Sequence, residues 1–113
     1  MASYTFTFQR KPKAKERPRL GRKKRAFTPE TTLEWERHLA EEWDGPFFEG
    51  PVSMEVQYHK DHVVITIEDL PEERRSRLRG DVDNYEKIVL DALNGVAYED
   101  DRQVVRLLGE KLW

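Results

Sequence analysis

The sequence contains no cysteine. Disulfides and thiolate metal centres are therefore excluded, and the composition suits a reducing compartment. Histidine is scarce as well. His38, His59 and His62 are scattered, with no metal-ligand spacing to a second pair, and read as surface residues. No apolar run approaches the roughly 20 residues of a membrane helix. The opening stretch from Met1 to Arg10 alternates aromatic and polar residues and lacks the apolar block of a signal peptide. A cytoplasmic protein without a membrane partner is expected. The 113 residues leave room for one compact domain, spanning 1–113, and not for two. A domain of this size buries a modest core, so a shallow site, or one completed by a second subunit, is expected in place of a deep pocket.

Charge is plentiful and unevenly placed. Between Arg10 and Arg25 lie ten lysines and arginines and one glutamate, a local charge of +9, which leaves −11 for the rest of a chain whose net charge is −2. A basic segment on an acidic body fits an arm that meets phosphates, and implies another use for part of the body's acidity. The plain alternative is a solvated tail. Against it, the basic segment (10–26) is internal and is broken by Pro12, Pro18 and Gly21. Its candidate phosphate contacts are Arg17, Arg19, Arg22, Lys23, Lys24 and Arg25.

The apolar pattern predicts an α+β fold, a mixed β-sheet packed with two helices. Tyr4, Phe6 and Phe8 alternate with Ser3, Thr5 and Thr7, the pattern of a half-buried strand. Thr28-Pro29-Glu30 reads as a helix start, with Thr28 as N-cap and Pro29 at the first helical position. Trp35, Leu39, Ala40 and Trp43 form that helix's packing stripe, and Gly45-Pro46 ends it. Val52 to Tyr58 and His62 to Ile67, joined by three residues, predict an antiparallel hairpin. The charged stretch 68–80 reads as a loop or short helical turn. A second helix is expected from about Asp83 to Leu93, with Tyr85, Ile88, Val89, Ala92 and Leu93 at helical spacing and Asn94-Gly95 as the stop. Gln103 to Leu108 reads as a last strand.

Asp81 and Asp83 fall at the mouth of the second helix, and Lys87 lies one turn beyond Asp83 on the same face. A helix N-terminus favours negative charge, so capping alone accounts for one aspartate. It does not account for two, followed by a further pair at Asp100-Asp101. Carboxylates brought together repel unless a cation or proton lies between them. Magnesium takes one or two carboxylates together with waters and phosphate oxygens. From spacing alone, a metal site and a set of cap, turn and surface residues both stand. A calcium loop starting at Asp81 does not, because its sixth and twelfth positions hold Glu86 and Ala92 where Gly and Glu are needed.

The run from Asp81-Val82-Asp83-Asn84 through Lys87 and Asp91-Ala92-Leu93 to Asp100-Asp101-Arg102-Gln103-Val104 resembles the RusA family of Holliday junction resolvases. Arg17-Pro18-Arg19 and Phe27-Thr28-Pro29 resemble that family's basic N-terminal segment. The resemblance covers most of the chain. It implies a RusA-like fold and a small endodeoxyribonuclease of the kind common in phages and prophages, working in DNA recombination and repair in a bacterial or phage-infected cell. It implies Mg2+, with Mn2+ as a substitute, held by Asp81, Asp83 and Asp101, with the neighbouring Asp100 as a further candidate ligand. Lys87 matches the essential lysine. It also implies a homodimer that nicks two strands of a four-way junction symmetrically, as two-fold symmetry suits. Two other readings remain beside the enzyme: a non-catalytic module that binds branched DNA, and a regulatory domain for a protein partner. Retention of the acids and Lys87 argues against the first, and a steep salt dependence of DNA binding separates the second.

Overall fold

The computed structural model describes residues 2–14, 19–20, 26–27 and 30–113, and of residues 19, 20, 26 and 27 only the backbone. The chain divides into two compact units, Met1–Pro71 and Glu72–Trp113.

The first unit is a sheet with a helix on it. Strand β1 (Ser3–Phe8) pairs antiparallel with β5 (Val63–Asp69), which pairs antiparallel with β4 (Val52–Tyr58), in the order β1-β5-β4. Val63 sits opposite both Phe8 and Tyr58 in register. The alternation of β1 sends Tyr4, Phe6 and Phe8 to the covered face and leaves Ser3, Thr5 and Thr7 exposed. Helix α1 (Glu30–Glu42) lies over that face. The Trp35 ring meets Phe8 edge-on at 5.0 Å, and Trp43 meets Tyr4 at 5.3 Å and Phe6 at 5.5 Å. Phe8, Val63 and Ile65 form the buried core, flanked by Phe6, Trp35, Leu39, Val56 and Ile67. Of the expected helix stripe, Ala40 alone is exposed.

The expected elements of this unit are present, with two refinements. The described sheet is wholly antiparallel, where a mixed sheet is expected from sequence. The basic segment is also more than a loop. Its backbone pairs β2 (Arg19–Leu20) with β3 (Ala26–Phe27), Arg19 opposite Phe27 and Leu20 opposite Ala26. The cap expected at Thr28-Pro29 lies outside the described residues.

In the second unit a 3-10 turn at Glu72–Arg74 precedes helix α2 (Val82–Leu93). The helix ends as its Asn-Gly pair requires. The Asn94 amide bonds Leu90 O, and Gly95 takes φ +80°, a left-handed conformation that glycine adopts without strain. The chain then folds back: the Gly95 amide donates to Tyr98 O at 2.7 Å, and the Tyr98 hydroxyl to Leu90 O at 2.8 Å.

The strand expected at Gln103–Leu108 does not form. A 3-10 turn at Asp101–Gln103 takes its start, and residues 104–113 follow without regular structure. The cause is local. Asp100 and Gln103 make a reciprocal capping box, in which Gln103 Oε1 accepts the amides of Glu99 (2.7 Å) and Asp100 (2.9 Å). Side chains that satisfy their neighbours' amides in this way compete directly with a ladder.

Candidate active site

Three of the expected site residues head α2. Asp81 takes the N-cap position with φ −71° and ψ 146°. Its backbone carbonyl accepts the amides of Asn84 at 3.1 Å and Tyr85 at 3.2 Å, which starts the helix. Its carboxylate makes no capping hydrogen bond. That is unusual for aspartate at this position, where the side chain ordinarily takes an amide of the first turn. Asp83 lies in the first turn and Lys87 one turn later, both exposed. The positive end of the helix dipole steadies both carboxylates.

The approach to Asp81 is held by a residue that sequence assigns to packing. Tyr85 folds its ring over Gly80, where a Cβ would come 2.9 Å from ring atoms, and its hydroxyl accepts the Gly80 amide at 3.2 Å. Its stripe partners are largely uncovered, with Ile88 69% and Val89 56% exposed.

Asp100 and Asp101 lie in the 3-10 turn that follows Tyr98. Asp100 is its N-cap. The carboxylate accepts the Arg102 amide at 2.9 Å and pairs with the Arg102 guanidinium, Oδ1 to Nε, at 3.3 Å. The Arg102 amide first, and then the guanidinium, hold the Asp100 carboxyl below the usual carboxylate range. Asp100 is thus committed to shaping the turn. Asp101 is half-buried. Burial first, then the charges of Asp101 and Asp91, push the Tyr98 hydroxyl's pKa up. Asp81 is ten residues upstream of Asp91, about 15 Å along a helix.

The structure therefore places Asp81 at the N-cap and Asp83 in the first turn of α2, Lys87 one turn on, and Asp101 in the 3-10 turn that follows Tyr98. Among the described residues no group of three or more Asp, Glu or His side chains is close enough to hold a metal ion. The donor set at the helix mouth nevertheless fits Mg2+: two exposed carboxylates with hard oxygen donors, one of them not used as a cap, and open space for water and phosphate. Of the candidate DNA contacts, Arg17, Arg22, Lys23, Lys24 and Arg25 lie outside the described residues, and for Arg19 only the backbone, in β2, is described. His59 and His62 stack at 4.3 Å across the hairpin turn, and His62 Nδ1 lies 2.7 Å from Asp61.

The Asp100 turn carries a pH signature with a defined sign. A carboxyl whose pKa is lowered on folding adds stability above its unfolded value, about 3.9, and loses that contribution as pH falls through the lower folded value. Carboxyl NMR is expected to show Asp100 titrating below an ordinary aspartate. In Arg102→Ala it should move only part of the way back, because the backbone amide, the larger influence, remains. An ordinary value in the wild type would mean that the turn does not form in solution.

The fold and the helix mouth define a class: an α+β protein with an acidic helix entrance and a basic segment suited to a polyanion. The chain belongs to the RusA endodeoxyribonuclease family, whose family model, described as Endodeoxyribonuclease RusA, matches residues 9–113. Membership makes it a nuclease of the Holliday-junction-resolving kind, in a family that acts on branched DNA. No curated protein and no solved structure matches the chain.

Proposed function

We propose that the protein resolves four-way or other branched DNA by paired, symmetric nicks, as a homodimer, using Mg2+ held at Asp81 and Asp83. The observation that carries this reading is the Asp81 carboxylate, which stands at a helix N-cap without capping it. The chemistry that Mg2+, or Mn2+ in its place, supplies when bound is polarisation of the scissile phosphate and activation of a water. Asp83 shares the cation with Asp81. Lys87 places an ammonium one turn from Asp83, where it offsets charge that develops on the attacked phosphate. Arg17, Arg19, Arg22, Lys23, Lys24 and Arg25 track the DNA backbone and set its register, while the acids act on one bond. Asp101 is the third carboxylate in this reading. Asp100 keeps its place in the turn that it caps. A two-fold dimer presents two such centres to the two equivalent strands of a junction.

The test is cleavage of end-labelled four-way junctions, flaps and forks with Mg2+ or Mn2+, with the cut sites mapped. Paired nicks at symmetric positions are expected on the junction. If the purified protein cuts none of the three substrates with either cation, the reading fails. Binding measured without cleavage should weaken steeply with salt. Six basic side chains at ~0.9 per phosphate give a log–log slope of about −5.

A further inference from the structure

The entrance to α2 is held from the far end of its own unit. Lys111 is half-buried, and its ammonium donates to two main-chain carbonyls, Gly80 O at 3.1 Å and Leu78 O at 3.4 Å. The residues around Lys111 are laced to the same loop. Glu110 pairs with Arg74, and the Trp113 carbonyl accepts Ser76 Oγ at 2.6 Å and the amides of Arg77 at 2.6 Å and Leu78 at 3.3 Å. Gly109 passes so close to Glu86 that a Cβ there would overlap the carboxylate. Gly80 is consequently gripped on both sides, its amide by the Tyr85 hydroxyl and its carbonyl by Lys111. That carbonyl belongs to the peptide that joins Gly80 to Asp81, so its orientation fixes the direction in which the Asp81 side chain leaves the backbone. A charged donor makes the stronger kind of hydrogen bond, and two carbonyls fix its place.

We infer that Lys111 is a positioning residue of the active site: by clamping the Gly80–Asp81 peptide it presents the Asp81 carboxylate to the divalent cation. The inference rests on the reading of Asp81 as a metal carboxylate. Lys111 touches neither substrate nor cation and acts through the backbone.

The experiment uses the full chain with Lys111→Met, which keeps the length of the side chain and removes the donors, and Lys111→Arg, which keeps a cation able to reach both carbonyls. Mn2+ is the probe. Its affinity is read from the broadening of the Asp81–Asn84 amide signals, and the loop is read from amide exchange at Leu78 and Gly80. Lys111→Met is expected to weaken Mn2+ binding about tenfold or more, the usual effect of losing a group that orients a metal ligand. Exchange at Leu78 and Gly80 should quicken, and four-way-junction affinity without divalent cation should stay within about twofold, the variant keeping its contacts to phosphate. Lys111→Arg should restore Mn2+ binding. Unchanged Mn2+ affinity in Lys111→Met overturns the inference. So does a loss of junction affinity that matches the loss of cleavage, which would make Lys111 a phosphate contact. If Lys111→Met does not fold, a folded Lys111→Arg that binds Mn2+ as the wild type does supports the clamp, and one that does not overturns it. Failure of the nuclease reading looks different: the wild type then binds Mn2+ at Asp81, Lys111→Met weakens it, and neither protein cuts DNA.

Discussion

Asp83→Asn is expected to abolish Mg2+-dependent nicking of a four-way junction while leaving junction binding unchanged or tighter. The substitution keeps size and hydrogen-bonding capacity and removes one negative charge. Asp83 is exposed in the first turn of α2, so neither packing nor a cap is lost with it. Removing a group that merely orients a metal ligand costs 10–100-fold, so the loss of a direct carboxylate should exceed about a hundredfold in cleavage rate. Binding moves the other way, because a carboxylate near the phosphates opposes the attraction of the basic segment, and that opposition is relieved in Asn. Gel-shift affinity and single-turnover cleavage on the same labelled junction read the two effects separately. Cleavage within tenfold of wild type would remove Asp83 from the proposed metal site. Parallel loss of binding and cleavage would point to a damaged helix start.

The helix mouth is legible in sequence because everything that makes it is local. Asp81, Asp83 and Lys87 lie within seven residues, and helical periodicity is enough to place them on adjoining turns. The hairpin β4–β5, strand β1 and helix α2 are legible for the same reason, since each declares itself by a period of two or 3.6 within one segment. What sequence misses is of two kinds. At Gln103–Leu108 an apolar run argues for a strand, but Asp100 and Gln103 stand at capping-box spacing, and the turn they stabilise takes the residues where that strand begins. The signal is there to be read in Asp-x-x-Gln. The Lys111 bonds to Leu78 and Gly80 are of the other kind, joining residues more than thirty positions apart with no periodic pattern between them. The return of the chain after α2 is likewise tertiary information, set by the Tyr98 hydroxyl on Leu90 O.

Phe8→Ala should produce the largest loss of stability of any single substitution in the first unit. Phe8 is 0% exposed, Val63 lies opposite it in β5, and Trp35 of α1 packs edge-on against it at 5.0 Å. Truncation removes the ring's transfer free energy and leaves a cavity, together about 3–5 kcal/mol. Domains of this size are stable by only about 5–15 kcal/mol, so the fraction unfolded becomes appreciable on mild warming. Urea unfolding followed by tryptophan fluorescence reads the change directly, because Trp35 reports on the contact that is lost. A change below about 1 kcal/mol would place Phe8 outside the core, since buried aromatic truncations cost several times that. The consequence reaches DNA binding through the root of the basic segment. The Arg10 amide bonds Phe8 O at 2.9 Å, and Trp35 Nε1 donates to Lys11 O at 3.0 Å, so the segment leaves the body from the two residues that meet in the core. Loosening Phe8 frees that root without removing a charge. Junction affinity should therefore fall with the folded fraction while the slope of binding against salt stays the same, whereas loss of a basic side chain that contacts phosphate lowers the slope itself.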